Sequence, residues 1–447
     1  MPEDEDRYTW SFSVGRGIAS EVEVNIVLEE VRESNAAQYW SIEPGGSILS
    51  SPIIHQDVIY FGCNDGILYA LSLDGRLKWK FVAGDLIVSS PVIEKERIYF
   101  GCYDGGLYCL HLDGNLIWRY NCGDSIAATP AIKDDIIYFG SKNGFFYAVS
   151  MAGQPLWKVQ AGGQITSTAA VSEKGIYFGC SDGYVYGLGF KGQSLWKFKT
   201  GDNIPGGLLL YNNRLFFSSL DRNFYCISLE GKELWKYKTP ESVTGTRGPV
   251  ADAGIAYFGS RDNNLYALSA DGGKLIWKYT AGNMIIGAYC LDKENIYFGS
   301  ADYNLYAAER KTGKILWRFK TNGLVGGGRP FVHDDKIFFG NWNGTFYCLS
   351  KSGEKLWEFQ ASSRPPSHVH VSQGSRAHKR IAVAEEPTID LKIDSSRKHV
   401  QTAVSYARIG SDIYSTRDSP GGYITDEIGA MNPMIRYALG QRKKEGH

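Results

Sequence analysis

Nine tryptophans, Trp40, Trp79, Trp118, Trp157, Trp196, Trp235, Trp277, Trp317 and Trp357, punctuate the chain at intervals of 39 residues five times, then 42, 40 and 40. A fixed period of this length constrains the fold more than any other feature. A unit of about forty residues cannot bury a core alone and must stack on copies of itself. Nine rungs bound eight units.

Each unit has the same internal grammar. Trp79-Lys-Phe-Val-Ala-Gly84 is followed by small residues, Ser89-Ser90-Pro91-Val92-Ile93, then Ile98-Tyr99-Phe100-Gly101, the turn Tyr103-Asp104-Gly105, and Leu107-Tyr108-Cys109-Leu110. Asp113-Gly114 leads to the next apolar run and Trp118. Asp-Gly and Asn-Gly pairs suit hairpin turns that need positive φ, and the segments alternate with period two where helical repeats need 3.6. The unit is therefore four short antiparallel strands. Eight such units predict an all-β fold, an eight-bladed β-propeller in which every blade covers both faces of its neighbours. The Trp-Asp signature of WD40 propellers occurs in no unit.

The recurring Ser-Ser-Pro-x-Ile, Ile-Tyr-Phe-Gly-x-x-Asp-Gly-x-Leu-Tyr-Ala-Leu and Asp-Gly-x-x-x-Trp pattern resembles the PQQ-type (pyrroloquinoline quinone) propeller repeat, in the subgroup of BamB-type outer-membrane assembly lipoproteins. The resemblance spans residues 38–360. It implies the fold. For function it implies several roles, because the family includes dehydrogenases, assembly scaffolds and sensor domains. For a dehydrogenase it also implies a calcium held by carboxylate and amide groups, an Asp base and often an adjacent cysteine pair. No Cys-Cys dipeptide is present.

Four segments follow: an N-terminal arm, partly strand, over 1–37; the propeller over 38–361; a linker over 362–400; and a C-terminal docking segment or tail over 401–447. Gln38-Tyr-Trp-Ser-Ile42 reads as a spare outer strand, and the expected ring closure has N- and C-terminal strands meeting in one blade. Trp10 to Ile18 echoes the start of a repeat, and Glu21 to Leu28 alternates like a half-buried strand. Between Ala361 and Ser405 aromatics vanish and Ser, Pro, Arg, Lys and His accumulate, so little apolar surface is available to offset ordering. The last forty residues are apolar again. Tyr414, Tyr423, Ile428, Met434 and Tyr437 are the candidate partner-docking residues.

Lysine and arginine balance aspartate and glutamate at 48 each, so no basic excess points to nucleic acid. The start, Met-Pro-Glu-Asp-Glu-Asp-Arg, lacks the basic and apolar regions of a secretory signal, and no run is long enough to span a membrane. A cytoplasmic location is expected. Of eight cysteines, Cys63, Cys102 and Cys180 share one repeat position and Cys109, Cys226 and Cys348 another, which reads as small apolar strand residues. No Cys-x-x-Cys pair indicates zinc. His368 and His370 lie in the linker without a third ligand.

Arg247, in Thr244-Gly-Thr-Arg-Gly-Pro249, and Arg329, in Gly326-Gly-Gly-Arg-Pro330, each stand twelve residues after a repeat Trp, where other units carry Pro52, Pro91 and Pro130. That register places both on innermost strands, two blades apart, beside the central channel. They are the candidate ligand-binding pair for a small anion or a partner's carboxylate; the alternative is a pair of channel arginines balanced by nearby acids. No catalytic motif, metal site or cofactor is indicated. The expectation is a non-catalytic protein-interaction scaffold, or a structural subunit of a larger assembly, with a protein partner or multisubunit complex. The alternative is a small-molecule sensor or quinoprotein-type enzyme using the channel.

Overall fold

The computed structural model describes residues 46–243 and 247–361, and the strand backbones of 11–13, 22–23 and 388–392. The chain divides into two compact units, Gln38–Gly374 and Met1–Ala37 with Ser375–His447.

In the first unit every repeat is a four-stranded antiparallel sheet whose strands are consecutive in sequence, and there are eight. Blade 1 comprises Ile53–His55, Val58–Gly62, Ile67–Ser72 and Leu77–Val82, from the innermost strand outward. Blade 8 comprises Phe331–His333, Lys336–Gly340, Thr345–Ser350 and Lys355–Gln360. The middle strands are buried almost throughout, while the outermost strand alternates. Leu68, Leu107 and Phe146 are fully buried, as are the Phe residues of Tyr-Phe-Gly. These aromatics fill the space between blades. Phe146 stacks on Phe178 at 4.2 Å and Phe224 on Phe258 at 4.1 Å, each pair linking successive blades.

Hairpin chemistry sets the local geometry. The first connection of blade 1 places Gln56 and Asp57 at φ 49° and 59°, the two positive values of a type I′ turn that follows strand twist. The second connection is held by an aspartate. Asp65 Oδ1 accepts from the Ile67 N–H (3.0 Å) and Oδ2 from the Tyr69 hydroxyl (2.6 Å). The same pair recurs as Asp104–Tyr108, Asp182–Tyr186, Asp221–Tyr225, Asp262–Tyr266 and Asp302–Tyr306.

The tryptophan ladder stitches neighbouring blades. Trp79 Nε1 donates to Leu112 O (3.0 Å) and Trp157 Nε1 to Phe190 O (2.9 Å), both 33 residues on. Each indole lies over the glycine of the next blade's outer turn. A Cβ on Gly114, whose φ is +91°, would sit 2.9 Å from the Trp79 ring, so that glycine is required by contact as well as conformation.

The same contact closes the ring. Trp357 Nε1 donates to Leu73 O (3.0 Å), 284 residues back. Phe61 stacks on Phe346 at 4.2 Å, and Ile48 N–H donates to Asn341 O (2.9 Å). Among the described residues blade 8 is built from consecutive strands, and blades 8 and 1 meet as any other neighbours do. Residues 38–42, the strand expected to join blade 8, lie outside the described residues.

In the second unit, Thr388–Lys392 pairs antiparallel with Ser11–Ser13 and parallel with Val22–Glu23. The segment Thr-Ile-Asp-Leu-Lys alternates apolar and polar residues, a strand pattern inside the stretch whose composition reads as linker. Among the described residues no helix is long and apolar enough to cross a membrane.

Candidate functional site: the arginine-filled channel

Innermost strands begin after a short loop that faces the ring axis. In blade 2 three residues separate buried Ile87 from Pro91; in blade 6 five separate Val243 from Pro249; in blade 8 four separate Val325 from Pro330. Pairing fixes the register. Val92 opposes Tyr99, Val250 opposes Tyr257 and Phe331 opposes Phe338, so Pro249 and Pro330 are the equivalents of Pro91. Arg247 and Arg329 therefore stand two residues and one residue before that position, in enlarged loops and not on the innermost strands. Counting from the tryptophans misses this, because the inserted residues lie between the Trp and the arginine. The loops are two blades apart, as the spacing implied.

The enlarged loops carry both side chains into the channel. Arg247 Nε donates to Gly327 O (3.0 Å) of the blade 8 loop, and Nη2 to Leu49 O (2.7 Å) of the blade 1 loop and to Val88 O of the blade 2 loop. Nη1 donates to Thr129 Oγ1 (3.3 Å) of the blade 3 loop. A side chain rooted on blade 6 that reaches blades 8, 1, 2 and 3 occupies the ring axis. Arg329 Nη2 donates to the carbonyls of Arg247 (2.5 Å), Gly248 (3.0 Å) and Pro249 (3.0 Å), and its own N–H to Ser51 Oγ (2.8 Å). The two arginines are in direct contact.

Carbonyl dipoles, not acids, surround these cations. The described ion pairs give carboxylates to Arg119, Arg214 and Arg310 but none to Arg247 or Arg329, so the balancing acids of the sequence reading are replaced by backbone oxygens. Burial lowers the Arg247 guanidinium to about 10, with the neighbouring Arg329 charge adding to the effect, and burial lowers Arg329 too. Both remain charged at neutral pH.

One residue that the sequence reading passed over belongs with them. Tyr289 opposes Phe298 and precedes Cys290 as Pro91 precedes Val92, so blade 7 carries a tyrosine where five other blades carry Pro. Its side chain is fully buried, and among the described residues its hydroxyl has no hydrogen-bond partner. The signal was available in the sequence as a lone polar side chain in a Pro, Ala and Leu register.

The eight cysteines are free thiols, six of them buried. Tyr414, Tyr423, Ile428, Met434, Tyr437, His368 and His370 lie outside the described residues.

Eight radial sheets of this repeat define an eight-bladed, PQQ-like β-propeller. The family model described as "Beta-alanine-activating enzyme, beta-propeller" matches residues 24–252, and that described as "Outer membrane protein assembly factor BamB" matches 221–391 and 280–427. The chain belongs to this PQQ-like β-propeller family. No curated protein sequence matches it. Among solved structures, the computationally designed Ika8 protein is similar at a TM-score of 0.62 and 17% identity, over 69% of this chain and 98% of that one. BamB from Moraxella catarrhalis aligns at 0.58 and 16%, over 67% and 96%. Quinohemoprotein alcohol dehydrogenase from Comamonas testosteroni aligns at 0.58 and 13%, over 70% and 76%. At these identities the likeness is one of fold.

At the axis stand guanidiniums, not the carboxylates that a calcium would need. Among the described residues no three His, Cys, Asp or Glu side chains converge as metal ligands. The axial space holds the Arg247 side chain, ringed by carbonyls that it already occupies.

Proposed function

We propose that this chain is a non-catalytic protein-interaction scaffold, or a structural subunit of a larger assembly, working in the cytoplasm. The observation that supports this reading is the axial arginine. Arg247 links five of the eight blades through its hydrogen bonds, which makes the ring a rigid platform and leaves its loops and outer face as working surfaces. Apolar side chains recur on that outer face: Leu156, Leu195, Leu234, Leu316 and Leu356 are all nearly half exposed. The C-terminal segment 401–447, with Tyr414, Tyr423, Ile428, Met434 and Tyr437, is the docking element. A propeller that belongs to an assembly factor, BamB, is among the similar folds.

Affinity purification of the full chain, beside a variant with these five tail residues changed to serine, tests the reading. A partner of fixed stoichiometry held by the native chain and lost by the variant is expected. A partner retained by both moves the interface to the ring. Recovery of no partner by either overturns the proposal.

A further inference from the structure

We propose that Arg329 and Tyr289 form a binding site for a small free oxyanion, of the size of phosphate, sulfate or a short dicarboxylate, beside the axial Arg247 at the inner ends of blades 7 and 8, with the Arg247 charge adding to the attraction. The proposal is independent of the scaffold reading and stands on four observations.

The first is charge. The Arg329 guanidinium sits on the backbone carbonyl of Arg247 inside the ring, and among the described residues neither arginine is ion-paired, although elsewhere Arg214 and Arg310 find carboxylates. Enclosing a cation without a counter-charge is unfavourable even after relaxation, and carbonyl dipoles replace only part of what water supplied.

The second is unused donor capacity. A guanidinium has five N–H donors. Arg329 directs only Nη2 at protein, to three carbonyls. Its Nε and Nη1 make no hydrogen bond to a described residue, and these two nitrogens form the edge that binds an oxyanion through two parallel bonds.

The third is Tyr289. Its hydroxyl is buried and makes no hydrogen bond among the described residues; the Gly259 N–H faces it without reaching bonding geometry. A buried hydroxyl left without a partner is unfavourable. Tyr289 opens the innermost strand of blade 7 and Arg329 stands in the loop just before that of blade 8, and these two strands are in contact, so one oxyanion beside Arg329 would satisfy both.

The fourth is that the neighbouring groups cannot serve as the counter-ion. Burial pushes Tyr289, Cys290 and Tyr103 each up to about 12, so all three stay neutral at physiological pH. Both arginines are half-buried and not sealed off, which gives a small anion access.

The test is thermal unfolding of the full chain during titration with phosphate, sulfate or malonate at constant ionic strength set by chloride, with calorimetric titration of sulfate as the direct readout. A saturable rise is expected, of about 3–6 °C at one hundred times Kd. Arg329→Gln should abolish the saturable rise while leaving the far-ultraviolet circular dichroism unchanged. Tyr289→Phe, which keeps the ring's volume, should weaken the anion about tenfold through loss of one charge-assisted hydrogen bond. Sulfate also stabilises proteins by exclusion from their surface, but that effect does not saturate and would persist in Arg329→Gln. The proposal is overturned if no anion gives a saturable shift, or if the shift is the same in Arg329→Gln. Should Arg329→Gln fail to fold, unchanged affinity in Tyr289→Phe overturns it.

Discussion

If the ring closes by the same contact that joins every other pair of blades, then Trp357→Ala must cost what Trp157→Ala costs. Trp357 donates to Leu73 O (3.0 Å), stacks near Phe346 at 6.1 Å and covers Gly75, where a Cβ would stand 2.8 Å from the indole. Trp157 donates to Phe190 O (2.9 Å), lies 6.3 Å from Phe146 and covers Gly192. A buried Trp→Ala change costs about 3–5 kcal/mol; these indoles are partly exposed, which favours the lower end. The orphaned carbonyl adds about 1 kcal/mol. Each variant should lose about 3–4 kcal/mol, a large share of the roughly 5–15 kcal/mol that holds a folded domain together. Urea unfolding followed by tryptophan fluorescence and circular dichroism reads the difference. The reasoning fails if Trp357→Ala stays within about 0.5 kcal/mol of the native chain while Trp157→Ala loses the full amount, for then the 8–1 junction is held by something else.

Gly114→Ala should destabilise by more than about 1 kcal/mol, combining an unfavourable positive φ with the 2.9 Å approach to Trp79; a melting temperature unchanged within a degree would refute the packing. Acid should weaken the ring through its hairpin aspartates. At Asp182 burial raises the carboxyl, but bonds from the Tyr186 hydroxyl and the Tyr184 N–H prevail and hold it below its usual value; Asp292 is lowered in the same way. Folded values below the unfolded one of about 3.9 mean that this stability is complete above that pH and is lost as pH falls through the folded values. Asp65, raised by burial, has the opposite sign and titrates first. Asp182→Asn should flatten the acid limb of a stability-against-pH curve; an unaltered limb would show that other groups govern it. Burial raises the thiols of Cys63, Cys180 and Cys226, so these should resist a thiol reagent at pH 8 in the native protein and react in 6 M guanidinium; rapid native labelling at any of them, located by mass spectrometry, would contradict their burial.

The architecture was legible because it rests on short-range chemistry repeated many times. Trp, Tyr-Phe-Gly and Asp-Gly each mark a position whose role is local: an indole over a glycine, an aromatic between sheets, a carboxylate across a turn. Ring closure is less legible. The Trp357–Leu73 bond joins residues 284 apart, and nothing in the sequence distinguishes it from a terminal strand completing the blade. The arginines were found but set in the wrong register, since a count from Trp235 or Trp317 cannot reveal on which side of the residue an insertion falls. Only strand pairing, with Pro249 before Val250 and Pro330 before Phe331, locates it. Their partners were misjudged for a similar reason: carbonyl oxygens leave no trace in a sequence, whereas acids do. Tyr289 was overlooked because tyrosine is so frequent in this chain that one more drew no notice.

Arg247 fills the channel and ties blade 6 to blades 8, 1, 2 and 3. A crystal structure of the full chain tests that most directly. The guanidinium should be found on the carbonyls of Gly327, Leu49 and Val88, with Arg329 against the carbonyl of Arg247. An Arg247 side chain turned out to solvent, or paired with a carboxylate beside an open axis, would contradict it and return the channel to the candidates for a cofactor site.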